Sequence, residues 1–131
     1  MIGETRNEMV KAEMTTTNKG RKAELAVVSH LESLGHKILS QNYRTRHYEI
    51  DVVSKLGTDY GNKIFFTEVK YRKSSAHGDG ISHITPKKLQ KMRFAAEDFL
   101  DRRRLREPAA LAAASVAGED FKVQEWFEIE E

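Results

Sequence analysis

Two short segments carry charge where a buried strand would be apolar: Glu49-Ile50-Asp51-Val52-Val53 and Ile64-Phe65-Phe66-Thr67-Glu68-Val69-Lys70. Side chains alternate along a strand, so Glu49 and Asp51 share one face while Ile50 and Val52 share the other. In the second segment Phe66, Glu68 and Lys70 share a face, opposite Phe65, Thr67 and Val69. Paired as a hairpin, the segments bring Asp51, Glu68 and Lys70 together. Two carboxylates suit a hard cation such as Mg2+ or Mn2+, with the backbone carbonyl of Val69 as a further oxygen ligand. A lysine beside them can orient or deprotonate a water, or neutralise developing charge. Without a cation, clustered carboxylates repel and raise one another's pKa, which is a reason to expect metal. The set suits metal-assisted phosphodiester hydrolysis. Taken alone, Glu68 and Lys70 also read as a surface ion pair of little worth.

The elements that must hold these residues can be read from periodicity and capping. Thr17 or Asn18 is a fitting N-cap for a helix running to about Leu34, with Gly35 just past its end. Val27, Leu31 and Leu34 make its apolar stripe, with Val28 beside it. Glu24 lies on or near that inward face and can reach the cluster, directly or through a water. The plainer reading is a first-turn glutamate that complements the helix dipole. Residues 36–43, 47–56 and 63–72 read as strands, the last two joined by the turn-rich stretch GTDYGN. Gly78-Asp79-Gly80 marks a loop. Thr85-Pro86 opens a second helix, with Leu89, Met92, Ala96 and Phe99 on one face. Propensity alone makes Ala109 to Ala117 helical, yet the turn at Gly118-Glu119-Asp120 and the β-prone run after it favour a final pair of strands.

Composition bounds the rest. The chain has 131 residues, 39% of them hydrophobic and 32% charged, which fits one globular domain with a flexible extension over 1–17 and the domain over 18–131. No stretch is apolar enough for a membrane helix, so no membrane partner is expected. The absence of cysteine excludes disulfides and thiolate zinc sites and fits a cytoplasmic location. The net charge of +2 conceals an asymmetry. Pro86 to Arg106 holds eight basic and three acidic residues; Glu107 to Glu131 holds seven acidic residues and one lysine. Lys87, Lys88 and Lys91 cluster where a helix N-terminus also attracts phosphate, and Arg44, Arg46, Arg72 and Lys73 flank the carboxylates. For each of these the plainer reading is ordinary surface charge. The five histidines show no paired metal spacing and read as surface or loop residues. Trp126 reads as a packing residue.

The order Glu24, Asp51, Glu68-Val69-Lys70 resembles the PD-(D/E)XK nuclease superfamily. More closely, the chain resembles the YraN family. Gly20-Arg21-Lys22-Ala23-Glu24, Asn42-Tyr43-Arg44, Tyr48-Glu49-Ile50-Asp51 and Phe66-Thr67-Glu68-Val69-Lys70-Tyr71-Arg72 follow its pattern, as do Gly78 and Thr85-Pro86-Lys87-Lys88. Ala23 and Tyr48 stand where that pattern has glycine, and Thr67 where it has valine. The resemblance implies a single-domain α/β fold with a restriction-endonuclease-like core, a mixed sheet flanked by helices. It also implies a nuclease-like site: Asp51 and Glu68 binding metal, Glu24 supporting it, Lys70 assisting the attacking water, and Glu49 as a group behind the ligands. The expected function is a magnesium- or manganese-dependent endonuclease acting on DNA, including branched or flapped forms. The alternative is a non-catalytic module that keeps the fold and binds nucleic acid or another partner. A twofold homodimer would suit symmetric cutting of two strands.

Overall fold

The computed structural model describes residues 15–73 and 84–130; the loop expected at Gly78-Asp79-Gly80, together with His77 and His83, lies outside them, as does most of the expected extension. Helix α1 (Thr15–Ser33) is followed by β1 (Lys37–Arg44), β2 (Glu49–Thr58) and β3 (Gly61–Arg72), then α2 (Pro86–Arg102), β4 (Ala109–Ala117) and β5 (Lys122–Glu128). The strands form one sheet in the order β1-β2-β3-β4-β5, antiparallel except for the parallel β3–β4 pair. This is the expected single-domain mixed sheet flanked by helices, consistent with a restriction-endonuclease-like core.

Apolar spacing decides which helix covers which face. Ile50, Val53, Ile64 and Phe66 pack with Met92, Ala95 and Phe99 of α2. Val52, Ala114 and Val116 pack with Ala23, Val27 and Leu31 of α1. Leu34, expected in the α1 stripe, is exposed because the helix has already ended at Ser33. Gly35 closes that end at φ +95°, with its N–H on the Glu32 carbonyl and that of His36 on Leu31 at 2.9 Å, the paired bonds of a Schellman cap. The helix begins a turn earlier than expected, at Thr15. At α2 the expected cap is present: Thr85 accepts the Lys88 N–H at 3.1 Å and Pro86 takes the first position.

The β2–β3 hairpin is longer than the turn-rich sequence suggested. Gly57 and Asn62 join the ladder, leaving only Asp59 and Tyr60 as the turn, with Gly61 at φ +110°. The alanine run is a strand, as the flanking turn favoured over propensity. Ala112, Ala113 and Ala114 are fully buried between the helices, where tertiary contact outweighs intrinsic preference. Trp126 packs edge-on against His36 and Phe65 and donates to Thr67 Oγ1 at 3.0 Å, the packing role expected of it. His36, read as a surface residue, is instead buried, bonded through Nδ1 to Ser54 Oγ at 2.9 Å. Burial holds it below the ordinary histidine pKa, which favours the neutral ring.

Candidate metal centre and nucleic-acid interface

The site forms where β2 changes its facing. Ile50 and Val52, two apart, were expected on one side of the sheet, but Ile50 packs under α2 and Val52 under α1. Between them, Asp51 lies beyond the last β2–β3 pair, Val52 with Thr67. Its carboxylate takes the place of the missing backbone partner: Oδ2 accepts the Val69 N–H at 2.8 Å. In an extended strand one residue's N–H and C=O point to the same side, so the Val69 carbonyl is also directed towards this gap.

Glu24 comes from α1, Glu49 and Asp51 from β2, and one carboxylate oxygen of each lies within 4.8 Å of the others. Asn42 of β1 joins two of them. Its amide donates to Glu24 Oε1 at 2.9 Å and to Glu49 Oε1 at 3.1 Å. Asn42 sits at φ +54°, a left-handed conformation that asparagine tolerates better than most residues, and this turns its side chain to the cluster. Arg44 holds the second Glu49 oxygen, from Nη2 at 2.7 Å and Nε at 3.0 Å. Glu49, expected behind the ligands, therefore stands among the clustered carboxylates, and Arg44 is occupied by it.

Burial, together with the carboxylates of Glu24, Glu68 and Glu49, pushes Asp51 up to about 7, against the opposing Val69 amide. Burial likewise raises Glu24, partly offset by bonds to Asn42 and Asp51. These groups share too little positive charge to ionise freely. A hard divalent cation is the chemical species that three half-buried carboxylates fit, and deprotonation would accompany its binding.

Glu68 is held differently. It lies on the α2 face, 8% exposed, where Oε1 accepts the Tyr48 hydroxyl and Oε2 lies 3.1 Å from Lys88 Nζ. The latter is an ion-pair contact without hydrogen-bond geometry, leaving Oε2 with no hydrogen-bond donor among the described residues. Lys70 follows on the same face, with the Lys88 ammonium beside it. That contact, with burial, lowers Lys70 from the ordinary lysine value, against the pull of Glu68 and Asp51. The expected convergence is therefore split: Asp51 gathers Glu24 and Glu49, while Glu68 and Lys70 gather Lys88 and Tyr48. Asp51 feels the charge of Glu68 and so links the halves.

Of the expected phosphate contacts, Lys88 is engaged with Glu68, while Lys87 and Lys91 are exposed on α2. Arg72 is half-buried near the end of β3; Lys73, just past it, lines a separate recess with Lys19 and Lys22. Two contributors escaped the sequence reading: Asn42, visible there only as part of an Asn-aromatic-Arg spacing, and Tyr48, visible only as a residue in a glycine's place. A cavity of about 620 Å³ opens beside Tyr48, between the β1–β2 turn and α2. No helix among the described residues is long and apolar enough to cross a membrane.

The chain matches the uncharacterised protein family UPF0102 over residues 23–121. It is similar to a UPF0102 protein of Deinococcus radiodurans, 38% identical over 78% of this chain and 82% of that one. A Sulfurihydrogenibium relative is 40% identical over 70% of this chain and 76% of its own, and one from Neisseria meningitidis 33% identical over 84% and 91%.

Proposed function

This chain belongs to the UPF0102 family, which is the YraN family of the restriction-endonuclease-like superfamily, and from that premise we propose that it is a divalent-cation-dependent endonuclease acting on DNA. The observation that carries the reading is the gathering of Glu24, Glu49 and Asp51 within 4.8 Å. Bound there, Mg2+ or Mn2+ would neutralise charge on the phosphoryl oxygens. The chain's own groups have separate tasks. Asp51 and Glu24 hold the cation's side of the site, with Glu49 and Asn42 fixing their spacing. Lys70, its ammonium destabilised by Lys88, takes a proton from the attacking water. Lys87 and Lys91 attract the phosphate backbone near the α2 N-terminus.

One observation favours a second reading. Glu68, a ligand in the expected scheme, is turned to Tyr48 and Lys88, an arrangement that a nucleic-acid-binding module without catalysis would tolerate. Labelled single-stranded, duplex, flap and four-way-junction DNA, incubated with Mg2+, Mn2+ or EDTA, separates the two. Cation-dependent cleavage by the wild type, reduced at least ~100-fold in Asp51→Asn and Lys70→Ala, is expected. Binding without cleavage of every substrate would replace the nuclease with the binding module.

A further inference from the structure

The cavity beside Tyr48 has the chemistry of a subsite for one unpaired nucleotide. One wall is α2, where Lys91, Phe94, Asp98 and Arg102 recur at three- and four-residue spacing and so share a helix face. The other is the β1–β2 turn. That turn is fixed by three bonds between Thr45 and Tyr48: amide to carbonyl at 2.7 Å, hydroxyl to carbonyl at 2.9 Å and amide to hydroxyl at 3.1 Å. Tyr43 ties the walls together. It packs edge-on against Phe99 at 5.0 Å and donates its hydroxyl to Asp98. The volume of about 620 Å³ is of small-ligand size, roughly 300–1,000 Å³ in general.

In the cavity lining Asp98 is already satisfied by Tyr43 and by Arg102 at 3.0 Å, so the pair presents little net charge. Phe94 is 64% exposed, a large aromatic face with no ring partner among the described residues. Arg46, His47 and Lys91 also line the cavity and make no ion pair among the described residues. Tyr48 and Lys91 also line a smaller recess of about 210 Å³ with Thr85, Lys87 and Lys88, at the α2 N-terminus. A cationic recess that shares Tyr48 and Lys91 with the cavity of the exposed Phe94 matches a phosphate followed by its base.

We infer that this cavity holds an unpaired base of the DNA substrate, stacked on Phe94, with its phosphate among Lys87, Lys91 and Arg46. The inference rests on the nuclease reading for its substrate and specifies it further. A base within a duplex cannot leave its stack without unpairing, so the subsite selects single-stranded overhangs, flaps or branch points over intact duplex.

The test is binding in EDTA, where no cleavage can occur, to a duplex bearing a single-stranded overhang with 2-aminopurine at its first unpaired position. A blunt duplex serves as control. Wild-type protein should change the probe's emission and prefer the overhang. Phe94→Ala should abolish that change and weaken overhang binding roughly 5- to 150-fold, the loss of one base–aromatic stack, while leaving the blunt duplex unaffected. Phe94→Trp should retain both. Lys91→Ala should flatten the salt dependence by ~0.7–0.9 in slope, one phosphate contact. Equal affinity for overhang and blunt duplex, or a Phe94→Ala protein that behaves as wild type, would overturn the subsite. Cleavage with cation but no emission change removes the subsite and keeps the nuclease; emission change without cleavage does the reverse.

Discussion

At the scale of single residues, the chemistry turns on protons that a cation would displace. Asp51 titrates near 7 in the folded chain against 3.8 as its ordinary value, so between those values the native state binds a proton that the unfolded state has lost. That contribution to stability is complete below about pH 4 and disappears as pH rises through 7. In EDTA the urea midpoint should therefore fall between about pH 4 and 7, and Asp51→Asn should flatten the slope. Added Mn2+ should stabilise the protein increasingly over the same range, because binding requires the deprotonated carboxylates. A cation effect independent of pH would remove Asp51 from the ligand set. Tyr48 offers a second test. Its hydroxyl occupies Glu68 Oε1, so Tyr48→Phe should release that oxygen and tighten Mn2+ binding several-fold by calorimetry. Unchanged affinity would place Glu68 outside the metal shell. Asp51, Glu68 and Lys70 were legible as chemistry from their types and spacing. The separation of Glu68 from Glu24 was not, because it depends on where a tyrosine ring from a different turn comes to rest.

At the scale of elements, capping was the most legible signal and alternation the least safe. Thr85-Pro86 and Gly35 mark helix ends through backbone requirements that do not depend on the rest of the fold. Gly35→Ala should cost about 1 kcal/mol for its left-handed conformation, with a Tm lower by a few degrees. The added Cβ would meet only Leu56 Cδ1 at 3.7 Å, so the loss is conformational rather than steric. Thr85→Ala should cost about as much by removing the bond to the Lys88 amide, and should also loosen Lys88 from Glu68. Alternation failed at Asp51 because β2 changes its facing there, and a pattern of period two cannot signal its own interruption. His36 was misread for a related reason. A lone histidine at a strand entrance gives no sign that Ser54, Phe65 and Trp126 will close around it.

At the scale of the whole molecule, the sheet order was out of reach of the sequence, since nothing in the alanine run says that it pairs parallel with β3. The charge asymmetry was legible, and it places Lys87 and Lys91 of α2 beside Tyr48 and the cavity. DNA affinity should accordingly fall steeply with salt, and an affinity indifferent to salt would argue against a phosphate-binding α2. The parallel pairing has a kinetic corollary. β1, β2 and β3 form a meander of neighbouring segments, whereas β3 meets β4 only after α2 has crossed, joining Ile64 to Ala109. Contacts of such separation close a long loop and tend to form late. Every carboxylate of the centre comes from α1 or the meander, so the acidic cluster can assemble before the sheet is complete, while β3 still has an open edge. Pulsed hydrogen exchange should protect the β2–β3 amides ahead of those of β4. A nascent chain in that interval would already have its acidic cluster gathered, and would be most exposed to edge-to-edge association with another copy of itself.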